Sequence, residues 1–278
     1  LGGEKVRVEK LPTNFFRAFT DKLKKRKMPR NGFWFNRNKK YILKNFDALV
    51  FVDYIHRDLL KARKDREKPK FIKLQHGAPG RGYSYNPELI DFDFQLLYGP
   101  YHLEALQKKR LLAKDFAVAG YPKMDTVDPR RRSYFPNDNP VVLYNPHFAI
   151  PLSSWHEMGI EILDHFFSQN DYNLIFAPHI NLFRTKKGKK PPHLPEKYRD
   201  AKNIFIDLGS EASVTMDYIT AAEIYLGDVS SQVFEFIIKP RPCIFVNAQK
   251  IDFGKNIDYR FWQCGEVIEN IDELSKAL

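Results

Sequence analysis

The chain has 278 residues, 43% of them hydrophobic and 14% aromatic, which is enough for one large or two ordinary domains with real cores. A mean hydropathy of -0.48 and the lack of any long apolar run argue against a transmembrane span, and the start carries no signal-peptide pattern. The net charge of +11 is uneven: residues 1–40 hold 13 Lys and Arg against 3 Asp and Glu, and the rest is close to neutral.

Residues 1–44 therefore read as a basic, aromatic N-terminal segment. Phe15, Phe16, Phe19 and Leu23 fall on one face at helical spacing. Lys24-Lys25-Arg26-Lys27 and Phe33-Trp34-Phe35 follow. Three readings stand at this stage. Residues 11–44 suit an anionic membrane surface. They equally suit a basic helix packed on the body by its aromatic face. Nucleic acid would attract the same charge, but no nucleic-acid motif accompanies it and no such partner is expected.

From residue 45 the chain alternates. Strand-like runs over 47–52, 71–74, 94–98 and 116–119 are interleaved with helical patterns over 54–64 and 101–112. Residues 123–140, rich in Pro, Asn and charge, read as a linker. The alternation resumes with strands over 141–144, 173–177, 203–207, 223–227, 243–246 and 267–268. Helices are expected over 153–169, over 214–222, after Ser230 and from Ile271. Strands apolar throughout, rather than alternating, fit parallel sheets covered on both faces. The expectation is an α/β chain of two Rossmann-like doubly wound domains, 45–135 and 136–278, with an interdomain cleft as the natural ligand site.

The candidate residues sit at strand ends. His76 follows a strand and opens His-Gly-Ala-Pro-Gly, where Gly77 lets a ligand approach the backbone and the imidazole can act as general base. His179 follows an apolar strand in Ala177-Pro178-His179 and can donate to, or protonate, a phosphate. His147 follows the first strand of the second domain, and its loop is expected to line the same cleft. Gly227-Asp228-Val229-Ser230-Ser231 joins a strand to a helix. Unpaired N–H groups and two hydroxyls there suit phosphate, and they equally suit an ordinary helix cap. No nucleophile elbow, phosphate-binding P-loop or dinucleotide fingerprint is present. Asp91 and Asp93 look like strand ends. The two cysteines, Cys243 and Cys264, fit no zinc spacing. Cys243, in an apolar run, reads as a buried free thiol, and the reducing cytoplasm is the simplest compartment. Nothing requires a metal, and no cofactor is expected.

In order, His76-Gly77, Gly120-Tyr121-Pro122-Lys123-Met124-Asp125, Pro178-His179 and Gly227-Asp228-Val229-Ser230-Ser231-Gln232-Val233-Phe234-Glu235-Phe236 resemble the CDP-glycerol glycerophosphotransferase (teichoic acid polymerase-like) family. The resemblance runs from about residue 70 to about residue 250. It implies a GT-B fold and transfer of glycerol phosphate, or a related alditol phosphate, from a CDP-linked donor to a hydroxyl of a growing polymer. It implies His76 as base and His179 at the donor phosphates. It implies that Asp228, Ser230 and Ser231 bind the donor; Gly77 and His147 are expected at the phosphates from their own positions after strands. It also implies peripheral association with the inner face of the membrane, in agreement with the basic segment. Gln75 stands where the family often has Trp, and Ile180 where it often has Pro. The alternatives are a GT-B glycosyltransferase or sugar-nucleotide epimerase using a nucleotide-sugar donor, and a non-catalytic protein that binds glycopolymer or membrane.

Overall fold

The computed structural model describes residues 9, 11, 15–23, 33–75, 77, 80–127, 132–184, 191–213 and 215–278. The chain divides into two compact units, residues 1–76 with 85–120, and residues 77–84 with 121–278.

In the first unit, helices α1 (Phe15–Leu23) and α2 (Phe33–Asn45) precede β1 (Ala48–Phe51), α3 (Arg57–Arg63), β2 (Lys70–Leu74), β3 (Phe94–Leu97), α4 (Pro100–Lys108) and β4 (Asp115–Val118). The four strands are parallel and lie in chain order. Strands that advance one way through right-handed crossovers place their connections on one face. Burial follows that rule. Phe51 and Phe71 pack with Phe35, Ile42 and Leu59, and Leu97 packs with Leu89 and Leu106. On the opposite face the register aligns Val50, Ile72 and Phe94 in a row outside these clusters. Val50 and Val52 are 59% and 47% exposed.

Two features of this unit depart from the sequence expectation. Helix α2 was not anticipated; Phe35 and Ile42 make it part of the core, whereas Phe15, Phe16, Phe19 and Leu23 of α1 are exposed. The helix expected over 101–112 stops at Lys108, because Arg110 turns to a φ of 58°.

The second unit contains β5 (Val141–Asn145), α5 (Trp155–Phe167), β6 (Asn173–Phe176), β7 (Ile204–Ile206), α6 (Asp217–Ala221), β8 (Ile224–Gly227), α7 (Gln232–Ile237), β9 (Cys243–Val246), β10 (Glu266–Ile268) and α8 (Leu274–Ala277). Its sheet is parallel, in the order β10-β9-β8-β5-β6-β7. This is the doubly wound order, with the direction of winding reversing between β5 and β8.

Here the continuous apolar strands have their explanation. Val142, Tyr144, Leu174, Phe176 and Leu226 face one core with Trp155, Ile162 and Phe166 of α5. Val141, Leu143, Ile175, Tyr225 and Phe245 face the other with Ile219, Val233 and Phe236 of α6 and α7. Burying each large apolar side chain contributes roughly 1.5–3 kcal/mol, so both faces stabilise the sheet. Lys123 and Tyr134, within the expected linker, and the preceding Tyr121 pack here as well. Tyr121 donates to Glu235 Oε1 at 2.5 Å and Lys123 at 2.8 Å, and the Tyr134 ring lies 4.9 Å from Phe205. Cys243 is buried and free.

Candidate functional site

The winding reversal sets the carboxyl ends of β5 and β8 side by side, with Asn145 opposite Gly227. In open α/β sheets the crevice at such a switch point is where ligands bind. Three strand ends are stitched together there. Asp228, just after β8, is 2% exposed. Its carboxylate accepts from the His147 backbone N–H (2.9 Å), the Ser154 N–H (2.6 Å) and the Ser154 hydroxyl (2.8 Å). Burial pushes the Asp228 carboxyl up to about 6, against the opposing pull of those hydrogen bonds. Asn145 donates to Ala177 O at 2.6 Å and accepts from the Ser230 hydroxyl at 3.0 Å. Ser230 Oγ also accepts from Gln232 N at 3.2 Å, so it caps α7 from two residues before its first residue.

Two histidines stand beside this knot. His147 follows β5 and His179 follows β6; their ring centroids are 5.6 Å apart and Phe148 lies 4.5 Å and 4.4 Å from them. The Nδ1 of His147 accepts from Ala149 N–H, and the Nδ1 of His179 accepts from Asn181 N–H, each at 3.1 Å. A backbone N–H can only donate, so in each neutral ring the proton is on Nε2. Burial first, then the charges of Arg81 and His179, lower His147 to about 4. At neutral pH His147 is therefore an uncharged ring with an Nε2–H donor.

His147, His179, Asp228 and Ser230 meet at one sheet edge. Ser231 is the residue before α7, which is only six residues long. Gly77 packs with the second unit and takes a φ of 76°, a left-handed conformation that favours glycine. His76 lies outside the described residues. Asn145, Ser154 and Arg81 were not singled out from sequence. Asn145 in Tyr-Asn-Pro-His and the Ser153-Ser154 pair before α5 are polar residues at element ends, a signal shared by many turns.

Other clusters lie elsewhere. His56, Glu88 and Asp91 in the first unit bring their ligand atoms within 4.8 Å of one another. There His56 Nε2 is 2.9 Å from Asp91, and Arg57 Nε is 3.4 Å from Glu88. A cavity of about 360 Å³ lined by Arg132, Tyr134, Asn137 and Glu223 opens at the amino end of β5 and β8, opposite the histidines. Among the described residues, no helix is long and apolar enough to cross a membrane.

No protein-family profile matches the chain, and no curated protein does. Solved structures do resemble it. One structure of the wall teichoic acid polymerase TagF, soaked with CDPG, has a TM-score of 0.60 at 17% identity, covering 83% of this chain and 62% of that one. A second, after a longer soak, gives 0.56 at 18% identity over 83% and 61%. A putative UDP-N-acetylglucosamine 2-epimerase from Listeria monocytogenes gives 0.56 at 15% identity over 87% and 67%. The fold is GT-B-like. At these identities the likeness establishes a common fold. The chain spans about three-fifths of the TagF chains it matches.

Proposed function

We propose that this chain is a CDP-glycerol glycerophosphotransferase-like enzyme of cell-surface glycopolymer synthesis. The observation that carries the reading is the meeting of His147, His179, Asp228 and Ser230 at the β5/β8 switch point. These residues come from separate strand ends, and two paired Nε2–H donors over a polar floor suit the phosphates of a nucleotide-linked donor. The TagF likeness and the motif order favour a CDP-linked alditol phosphate as that donor.

In the proposed reaction an acceptor hydroxyl oxygen attacks the phosphorus bearing the glycerol. The bond from that phosphorus to the CMP oxygen breaks, and CMP leaves. His76 takes the hydroxyl proton. His147 and His179 donate to phosphate oxygens and stabilise the charge that builds there. Asp228 acts through others: by holding His147 N–H and Ser154 it fixes the loop that presents the first histidine. The acceptor is a polymer or lipid-linked hydroxyl. The enzyme works on the cytoplasmic face of an anionic membrane, reached through residues 11–44, where the exposed face of α1 carries Phe15, Phe16, Phe19 and Leu23.

Calorimetric titration with CDP-glycerol, CDP-ribitol, UDP-sugars and GDP-sugars tests the donor. Absence of heat with either CDP compound would reject it. The equal likeness to the epimerase favours one second reading, a nucleotide-sugar enzyme, which heat with UDP-sugars alone would support.

A further inference from the structure

We infer that Arg81 is the cationic contact for the phosphate groups of the ligand held at the β5/β8 edge. The inference rests on the donor-binding reading above and adds a residue to it. Three of the groups already described there supply hydrogen bonds without positive charge. His147 is neutral at pH 7, the hydroxyl of Ser230 is neutral, and Asp228 is an acid. A diphosphate needs charge as well as donors, and a guanidinium offers a permanent charge with a planar fork of N–H groups.

Arg81 lies in the segment 77–84, which packs with the second unit. Asp258 anchors that segment. Its Oδ1 accepts from Gly82 N–H at 2.8 Å and lies 3.8 Å from Arg81 Nε. Gly80 takes a φ of 125°, and a Cβ there would come within 3.2 Å of Arg260 Cδ, so the backbone is seated closely on the segment Ile257–Cys264. That segment reaches the switch point, since Trp262 Nε1 donates to Asp228 O at 3.3 Å. The Arg81 side chain is 14% exposed. Arg81 thus stands on a backbone held by Asp258, against the segment whose Trp262 touches Asp228, the residue that fixes the His147 loop.

The test titrates inorganic pyrophosphate, CDP and UDP into wild type, Arg81→Gln, Arg81→Lys and the surface control Arg199→Gln, at low and high salt. Arg81→Gln is expected to weaken diphosphate binding about 10- to 100-fold, the loss of a charged hydrogen bond. Arg81→Lys is expected to fall between it and wild type, because charge is kept and the fork is lost. Arg199→Gln is expected to match wild type. Equal affinities for wild type and Arg81→Gln would overturn the inference and leave the donor reading standing. Binding of UDP but not CDP, with the same loss in Arg81→Gln, would sustain Arg81 and reject a CDP donor. No binding of any probe by wild type would overturn both. If Arg81→Gln does not fold, Arg81→Lys decides: intermediate affinity supports the inference, and wild-type affinity at both salts overturns it.

Discussion

Asp228 and Ser154 are joined twice, by the Ser154 N–H at 2.6 Å and by its hydroxyl at 2.8 Å. The residue after β8 thereby holds the residue before α5, on the other side of the winding reversal. With His147 N–H on the same carboxylate, one buried acid organises both flanks of the site.

Stability should carry a pH signature of Asp228. Its folded pKa, raised to about 6 by burial, lies above the ordinary value. Its contribution to stability is therefore full below about pH 4 and is lost as pH rises through about 6. Relative to Asp228→Asn, wild type should lose on the order of 2 kcal/mol between pH 4.5 and 7.5. Urea melts of both proteins at pH 4.5 and 7.5 measure the difference. A constant gap between them would contradict a buried carboxyl with a raised pKa.

Ser154→Ala removes two roles of one hydroxyl, which donates to Asp228 Oδ2 and pairs with Tyr144 OH at 3.0 Å. A destabilisation of about 1–3 kcal/mol is expected from the buried groups left short of partners. Denaturant unfolding checks it, and the accompanying loss of donor affinity would link the knot to the site.

Gly227 is the last residue of β8, and a Cβ there would lie 2.8 Å from the hydroxyl of Tyr225, a fully buried side chain. Gly227→Ala should destabilise by about 1–3 kcal/mol through overpacking. Adding Tyr225→Phe removes the hydroxyl and should recover part of the loss. A double-mutant cycle with no coupling would refute the contact as the cause.

The two histidines should share a tautomer. Long-range nitrogen–proton NMR is expected to show the proton on Nε2 in both neutral rings, as the backbone donors to Nδ1 require. His147, lowered to about 4, should show no titration between about pH 5.5 and 8. A midpoint near 6.5 for His147 would remove it as a neutral donor.

The exposed valines at the edge of the first sheet give a surface prediction. Val50 and Val52 lie outside its buried clusters, so Val50→Lys and Val52→Lys should each change stability by less than about 0.5 kcal/mol. Equivalent changes at Phe51 or Phe71 should unfold the unit. Parallel measurements by thermal melting separate the two faces.

Much of this protein is determined by its sequence alone. Runs such as Val141-Val142-Leu143-Tyr144 and Cys243-Ile244-Phe245-Val246 are apolar at every position, and only a sheet covered on both sides can bury them. Glycine, proline and histidine at the strand ends mark the edge where chemistry belongs. The tertiary structure decided the rest. Strand order is not written in any one segment, and it is the reversal between β5 and β8 that brings His147 to Asp228, 81 positions away in the chain. The same packing made the expected linker over 123–140, with the Tyr121 before it, part of the second unit through contacts of Tyr121 and Lys123 with Glu235. It also set Arg81, which follows a first-unit strand in sequence, beside Asp258. Local pattern specifies which residues must be buried, whereas long-range pairing chooses which polar groups meet at the strand ends, because that choice depends on contacts separated by most of a domain.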